Sequence, residues 1–306
     1  MMKTQIASGL TLTLLAGILS ACNVESLNVS TVSTSQDAVL IERAADPNLA
    51  VCNPTGGGSG LSNGTRYGLH GELKYIAQGT PNPSNVAGYS LNGRPVAADV
   101  FFDRVFVPTR PWNAGFQTLS GHTLQNDLNE TLFEYFSLHF ESNIVLSDSD
   151  QPGLYQFALL SDDGSILRIK QGETWQDIVN DDGTHPSKFA CASSAIEMTT
   201  ASKIPMKLDW YQGPRYHISL IMLWRKVEAG TTLADSECGK MGNSRYFNST
   251  QNPPISQTAW HGLMDRGWKP LNSRNFILNE SAPTNPCTDP NGGGCQGAGC
   301  MGGFGV

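Results

Sequence analysis

The chain has 306 residues, with 20 Lys and Arg against 27 Asp and Glu, a formal net charge of −7 and 39% hydrophobic residues. That acidic balance argues against nucleic acid, and against an anionic membrane surface, as a partner.

At the N-terminus stand Lys3, an apolar run from Ile6 to Ile18, and the sequence LSAC at Leu19–Cys22. The run is well short of the ~20 residues that cross a bilayer, and it ends in small residues, so residues 1–21 read as a secretory signal. LSAC resembles the lipobox of bacterial lipoproteins. The resemblance implies cleavage before Cys22, acylation of that residue, and membrane contact through a lipid anchor. Asn23 in place of Asp implies sorting to the bacterial outer membrane. The alternative is an ordinary secretory signal with a chance Cys.

Residues 22–65 are poor in aromatics and close with NPTGGGSGLSNG, Asn53 to Gly64. Such composition buries too little apolar surface to offset ordering entropy, so it reads as a flexible tether. Residues 66–227 carry period-two runs. GLYQFALL sets Tyr155, Phe157 and Leu159 against Leu154, Gln156 and Ala158; YHISLIMLW puts Ile218, Leu220, Met222 and Trp224 on one face. TLFEYFSLHF, Thr131 to Phe140, is expected to be a strand because of its aromatics. The fold class expected is an all-β antiparallel sandwich or closed barrel with many Gly-, Asp-, Asn- and Pro-rich turns. Residues 228–279 read as a C-terminal extension packed on it. Its ISQTAWHGLMDRGW is expected to be a short helix, capped by Ser256, stopped at Gly267, and presenting Trp260, Leu263 and Met264 on one face. Residues 280–306 form a Gly-rich, Cys-containing tail, expected to have no fixed structure beyond its disulfides.

Export places Cys52, Cys191, Cys238, Cys287, Cys295 and Cys300 where disulfides persist, and two or three bridges are expected. The spacing of the last three does not match a zinc ribbon. Cys191 and Cys238 bracket the end of the strand-rich region and are the candidate pair.

GLYQFALLSDDGSILRI, then DIVNDDGTHPSKF, then PMKLDWYQGPRYHISLIMLWRK resemble the protective-antigen-type lectin-like module, a β-sandwich shared with yeast flocculins. GLHGELKYI, Gly68 to Ile76, fits its first strand. The likeness spans about Tyr67 to Lys226; residues 80–151 and everything after Lys226 depart from the pattern. It implies carbohydrate binding. Adjacent side chains of an extended strand point to opposite faces, so Asp162 and Asp163 share a ligand only if the chain bends. In the flocculin branch the matching pair is joined by a cis peptide and holds calcium, which takes 6 to 8 oxygen ligands in loose geometry. The same branch places a second loop opposite, matched here by YQGPRYH. Gln212 and Arg215 are then candidates to hydrogen-bond sugar hydroxyls, and Tyr216 to offer a ring face. The plainer alternative makes SDDGS the tip of a β-hairpin, Tyr216 a core residue and Arg215 a solvated charge. NDDG, Asn180 to Gly183, reads as a turn of the same composition. Trp112 and Trp175 are either sugar platforms or core.

Three functions follow: a lipid-anchored lectin or adhesin that binds glycan with calcium, a structural or assembly lipoprotein of the cell envelope, or an enzyme. No nucleophile elbow, HExxH or P-loop motif is present, and two adjacent carboxylates are too close to act as separate acid and base across a sugar, so no enzyme is expected.

Overall fold

The computed structural model describes residue 46, residues 48–52 and residues 66–287. The signal segment, Cys22, most of the expected tether, Cys295 and Cys300 lie outside the described residues. The chain opens with β1 (Ala50–Cys52), β2 (Leu69–Tyr75), α1 (Val86–Asn92), β3 (Arg94–Pro95), β4 (Asp99–Phe102) and β5 (Phe106–Arg110). The long strands follow: β6 (Phe136–Ile144), β7 (Gly153–Asp162), β8 (Ser165–Gln171), β9 (Thr174–Asp181), β10 (Lys188–Met198), β11 (Ile204–Gln212) and β12 (Ile218–Val227). Short elements close it: β13 (Phe247–Asn248), β14 (Ile255–Ser256), α2 (Thr258–Asp265), β15 (Lys269–Pro270) and β16 (Phe276–Ile277).

Two sheets face each other, as the all-β sandwich expectation requires. The larger runs β1-β4-β2-β6-β11-β8-β9, with β3 and β16 attached at β2 and β6. The smaller runs β10-β7-β12-β15, with β5 also paired to β12. The period-two pattern sets the core: Tyr155, Phe157 and Leu159 of β7 and Ile218, Leu220, Met222 and Trp224 of β12 meet Phe102, Phe140, Leu167 and Leu208 of the larger sheet. Tyr155 and Trp224 lie with ring centroids 4.4 Å apart.

The opposite faces of β7 and β12 are apolar too, and this second layer explains the C-terminal extension. Ala158, Leu160, Ile221 and Leu223 are covered by Tyr246, Phe247, Trp260, Leu263 and Trp268. Asp235 fastens that layer. It accepts hydrogen bonds from Arg266 Nε at 2.8 Å and Trp268 Nε1 at 3.0 Å, and pairs with Arg225 at 3.3 Å. Burial alone pushes its carboxyl up, but the hydrogen bonds led by Arg266 bring it down to about 2. The extension also contributes strands, β15 to the smaller sheet and β16 to the larger.

Several expectations are corrected here. Within the expected tether, Ala50 and Val51 are buried, β1 runs parallel to β4, and Cys52 is disulfide-bonded to Cys287. Three apolar residues suffice for an edge strand, and averaging over a polar segment hides them. Likewise the tail is ordered as far as Cys287, with Asn285 buried and donating to Tyr67 O at 3.1 Å. Cys191 and Cys238 form the second bridge. The strand expected over residues 131–140 starts only at Phe136, because Tyr135 takes a φ of 54°. The helix forms, but Ser256 is not its cap: it lies in β14 and its hydroxyl meets His261 Nε2 at 3.1 Å.

Candidate functional site

The SDDGS segment is not a hairpin tip. β7 belongs to the smaller sheet and β8 to the larger, so Asp162, Asp163 and Gly164 form a corner where the chain changes sheets. NDDG makes a second such corner, from β9 to β10. The Asp162–Asp163 peptide is cis.

Two glycines make the corner possible. A Cβ on Gly164 would stand 2.6 Å from Tyr211 Cε1 and 2.7 Å from Gly183 N, so only glycine lets the two corners touch. A Cβ on Gly213 would stand 2.8 Å from Asp163 Oδ2. Without it, Gly213 N donates to that oxygen at 2.8 Å, and His185 N donates to Asp163 Oδ1 at 3.0 Å. The loop after β11 is thereby fixed over the acidic pair. Asp162 has less support, a 3.4 Å hydrogen bond from Ser187 Oγ.

Both carboxyl groups are buried, Asp162 at 6% and Asp163 at 4% exposure, and neither has an ion-pair partner among the described residues. Burial, then the neighbouring charge of Asp163, pushes Asp162 up to about 8. Burial also raises Asp163, against the hydrogen bonds from Gly213 and His185. A buried carboxylate that no ion pair compensates takes up a proton or a cation.

The facing loop divides its labour. Gln212 is fully buried, and its Nε2 donates to Pro214 O at 2.9 Å and His217 O at 2.8 Å, so it shapes the loop. Its Oε1 is buried with no hydrogen-bond partner among the described residues. Arg215 is tied back to Glu134, through its backbone N at 3.1 Å and Nε at 3.5 Å, with its guanidinium 5.7 Å from the Phe133 ring centre. Tyr216 is 76% exposed, which removes the core alternative for it. His217 Nδ1 lies 3.0 Å from Asn243 Nδ2, and the His185 ring lies against Asp181 O at 3.0 Å.

Other candidates fall elsewhere. Asp182 accepts from Val86 N at 2.8 Å and Gly183 N at 2.9 Å, holding α1 to the second corner as a turn residue. Trp112 is core, while Trp175 is partly exposed with Lys207 Nζ 5.0 Å from its ring centre. No local pattern announces Glu134, 81 residues from Arg215, or the ion-paired outer face where His139 Nδ1 meets Asp209 Oδ1 at 2.7 Å.

Calcium fits the chemistry of the acidic corner. The donors are oxygens: two carboxyl groups, and the unpartnered Oε1 of Gln212, the residue preceding Gly213. No cluster of three or more His, Cys, Asp or Glu with metal-holding geometry occurs among the described residues, so further ligands must be amide, carbonyl, hydroxyl or water oxygens. Calcium takes such mixed shells.

No protein family and no curated protein matches the chain. Among solved structures, the fold is similar to a PA14 sugar-binding domain from an RTX adhesin, at 15% identity and a TM-score of 0.37, covering 70% of this chain and 99% of that one. It is similar to the PA14 domain of the MpAFP antifreeze protein, at 12% identity and a TM-score of 0.40, covering 57% and 93%. It is also similar to the A domain of epithelial adhesin 6 from Candida glabrata, solved with Galb1-3GlcNAc, at 12% identity and a TM-score of 0.39, covering 74% and 94%. At these scores nothing about this chain's ligand follows from the likeness.

Proposed function

We propose that the folded region is a carbohydrate-binding domain, lectin- or adhesin-like, which engages glycan at the acidic corner, holds calcium there, and is displayed by a lipid anchor at Cys22 on the bacterial outer membrane. The observation that carries the reading is the burial of two adjacent carboxyl groups with no ion-pair partner, beneath a loop whose aromatic ring, Tyr216, is left in solvent. Asp162, Asp163 and Gln212 Oε1 would hold the ion. Calcium supplies a hard cation with coordination positions that accept hydroxyl oxygens. Tyr216 offers a ring face to a sugar, and Arg215 donors to its hydroxyls. Adjacency of the two carboxyls argues against glycosidase chemistry, which needs them on either side of the scissile bond.

A glycan array read with calcium and with chelator tests the function, and thermal unfolding tests the ion. A ligand of the folded state at a hundredfold excess over Kd stabilises it by about 2.7 kcal/mol. For a domain of this size that corresponds to a rise of roughly 5–10 °C in Tm. Asp163→Asn should abolish most of the rise, and Asp148→Asn, at an exposed position, should not. No shift with calcium and no array signal would leave a structural envelope protein whose acidic corner is only a corner.

A further inference from the structure

Beside the acidic corner opens a cleft of about 540 Å³, within the ~300–1,000 Å³ range of sites that take small-molecule ligands. The end of β2 and the segment after it, as far as Asn82, form one wall; Asn126 and residues 130–135, leading into β6, form another; Arg215 completes it. One residue joins the cleft to the corner. Tyr135 N donates to Gly213 O at 3.0 Å, and the same Gly213 gives its N–H to Asp163. The side chains of Gln78, Thr80 and Asn82, which line the cleft, make no hydrogen bond among the described residues, and Phe133 adds an apolar face. Neutral donors and acceptors interleaved with an aromatic ring are the chemistry that binds sugar.

The charged lining is lopsided. Glu130, Glu134 and Arg215 are its ionic groups. Glu134 accepts from the backbone N of Arg215 and lies 3.5 Å from its Nε, and Glu130 accepts from Asn126 Nδ2 at 2.9 Å. An entering carboxylate therefore meets two like charges and one guanidinium whose charge is already faced by Glu134, while its remaining N–H groups stay available to neutral hydroxyls. Like charges at close range disfavour binding and suppress wrong partners.

We infer that this cleft takes the further units of an oligosaccharide whose first unit sits at the acidic corner, and that it selects neutral chains over acidic ones. The inference rests on the carbohydrate-binding reading above. It names the ligand class: a neutral oligosaccharide of two or more units, with uronic and sialic acids excluded at the positions after the first.

The test is titration of the full folded chain, with calcium, against cellotetraose, chitotetraose and lacto-N-tetraose, their terminal monosaccharides, and the acidic probes tetragalacturonate and 3′-sialyllactose. At least one neutral oligosaccharide should bind tenfold or more tightly than its terminal monosaccharide and than either acidic probe. Glu134→Gln releases Arg215 and should narrow the neutral-to-acidic ratio at least threefold. Thr80→Trp fills the cleft and should erase the oligosaccharide advantage; the melting point of each variant reports that it folds. Equal affinity for monosaccharide and oligosaccharide, or an acidic probe bound as tightly as the best neutral one, overturns this inference and leaves the corner reading standing. Absence of binding to every probe, neutral and acidic, overturns both.

Discussion

Stripping divalent ions from the protein and titrating its stability between pH 5 and 7 isolates the Asp162 carboxyl. In the unfolded chain an Asp titrates near 3.9; in the fold, burial and the adjacent Asp163 push Asp162 up to about 8. Between those values the folded state holds a proton that the unfolded state has lost. The stabilisation is therefore complete below the unfolded pKa and is lost as pH rises through the folded one. Each pH unit between the two values is worth a little over 1 kcal/mol, so the step from pH 5 to pH 7 removes on the order of 3 kcal/mol. At 6% exposure the side chain has little solvent to screen it. The assay is urea unfolding in chelator at pH 5, 6 and 7, for wild type and for Asp162→Asn, with the m-value checked for constancy. His139, raised above its ordinary value mainly by its hydrogen bond to Asp209, and His217, lowered by burial, add their own slopes. Both proteins share those, so the difference between the two curves belongs to the Asp162 carboxyl and its coupling to Asp163. Wild type should lose stability on going to pH 7 by about 2–3 kcal/mol more than the variant. Parallel curves would refute the argument that an uncompensated buried carboxyl occupies the corner.

Gly213→Ala places a methyl group 2.8 Å from Asp163 Oδ2; displacing that carboxyl from the Gly213 N–H should cost about 1.5–3 kcal/mol by urea unfolding, and the calcium-induced rise in Tm should fall by at least half. By the chain-entropy argument, opening Cys52–Cys287, which closes 235 residues, should cost roughly 5 kcal/mol, and opening Cys191–Cys238, which closes 47, roughly 4 kcal/mol. Urea unfolding of Cys52→Ser and Cys191→Ser checks this, and losses below 1 kcal/mol in both would contradict it. Cys22→Ser should abolish labelling of the chain by a clickable fatty acid; undiminished labelling would remove the lipid anchor from the proposal.

The long strands were legible because each writes its environment at period two: Tyr155, Phe157 and Leu159 could only face a core. The same strands also carried a signal left unread, since Ala158 with Leu160 and Ile221 with Leu223 fill the alternate faces. A strand apolar on both sides needs a second cover, and Trp260, Leu263 and Trp268 supply it from residues that sequence reasoning treated as an appendage. The acidic pair was legible as a pair but not as a corner. Asp and Gly serve a hairpin and an inter-sheet crossing equally well, and the difference lies in the contacts of Gly164 with Tyr211 and Gly183, 47 and 19 positions away. Arg215 was visible as a donor, but its commitment to Glu134 joins two loops with no local pattern to announce it. β1 was invisible because Ala50–Cys52 gains its order from β4, not from its own flanks.

The Cys52–Cys287 bridge also decides how the domain meets a pull. Tension applied between the segment before Cys52 and the segment after Cys287 passes from one cysteine to the other through a covalent bond. Every described strand but β1, and the acidic corner with them, lies between the two cysteines and stands outside that load path. A tug of this kind loads the short β1–β4 pairing and leaves the other hydrogen-bonded ladders slack, so the shape of the site is insulated from it until sulfur–sulfur chemistry intervenes. Reduction would carry the same tension past Cys52 into the strands that the bridge now spares.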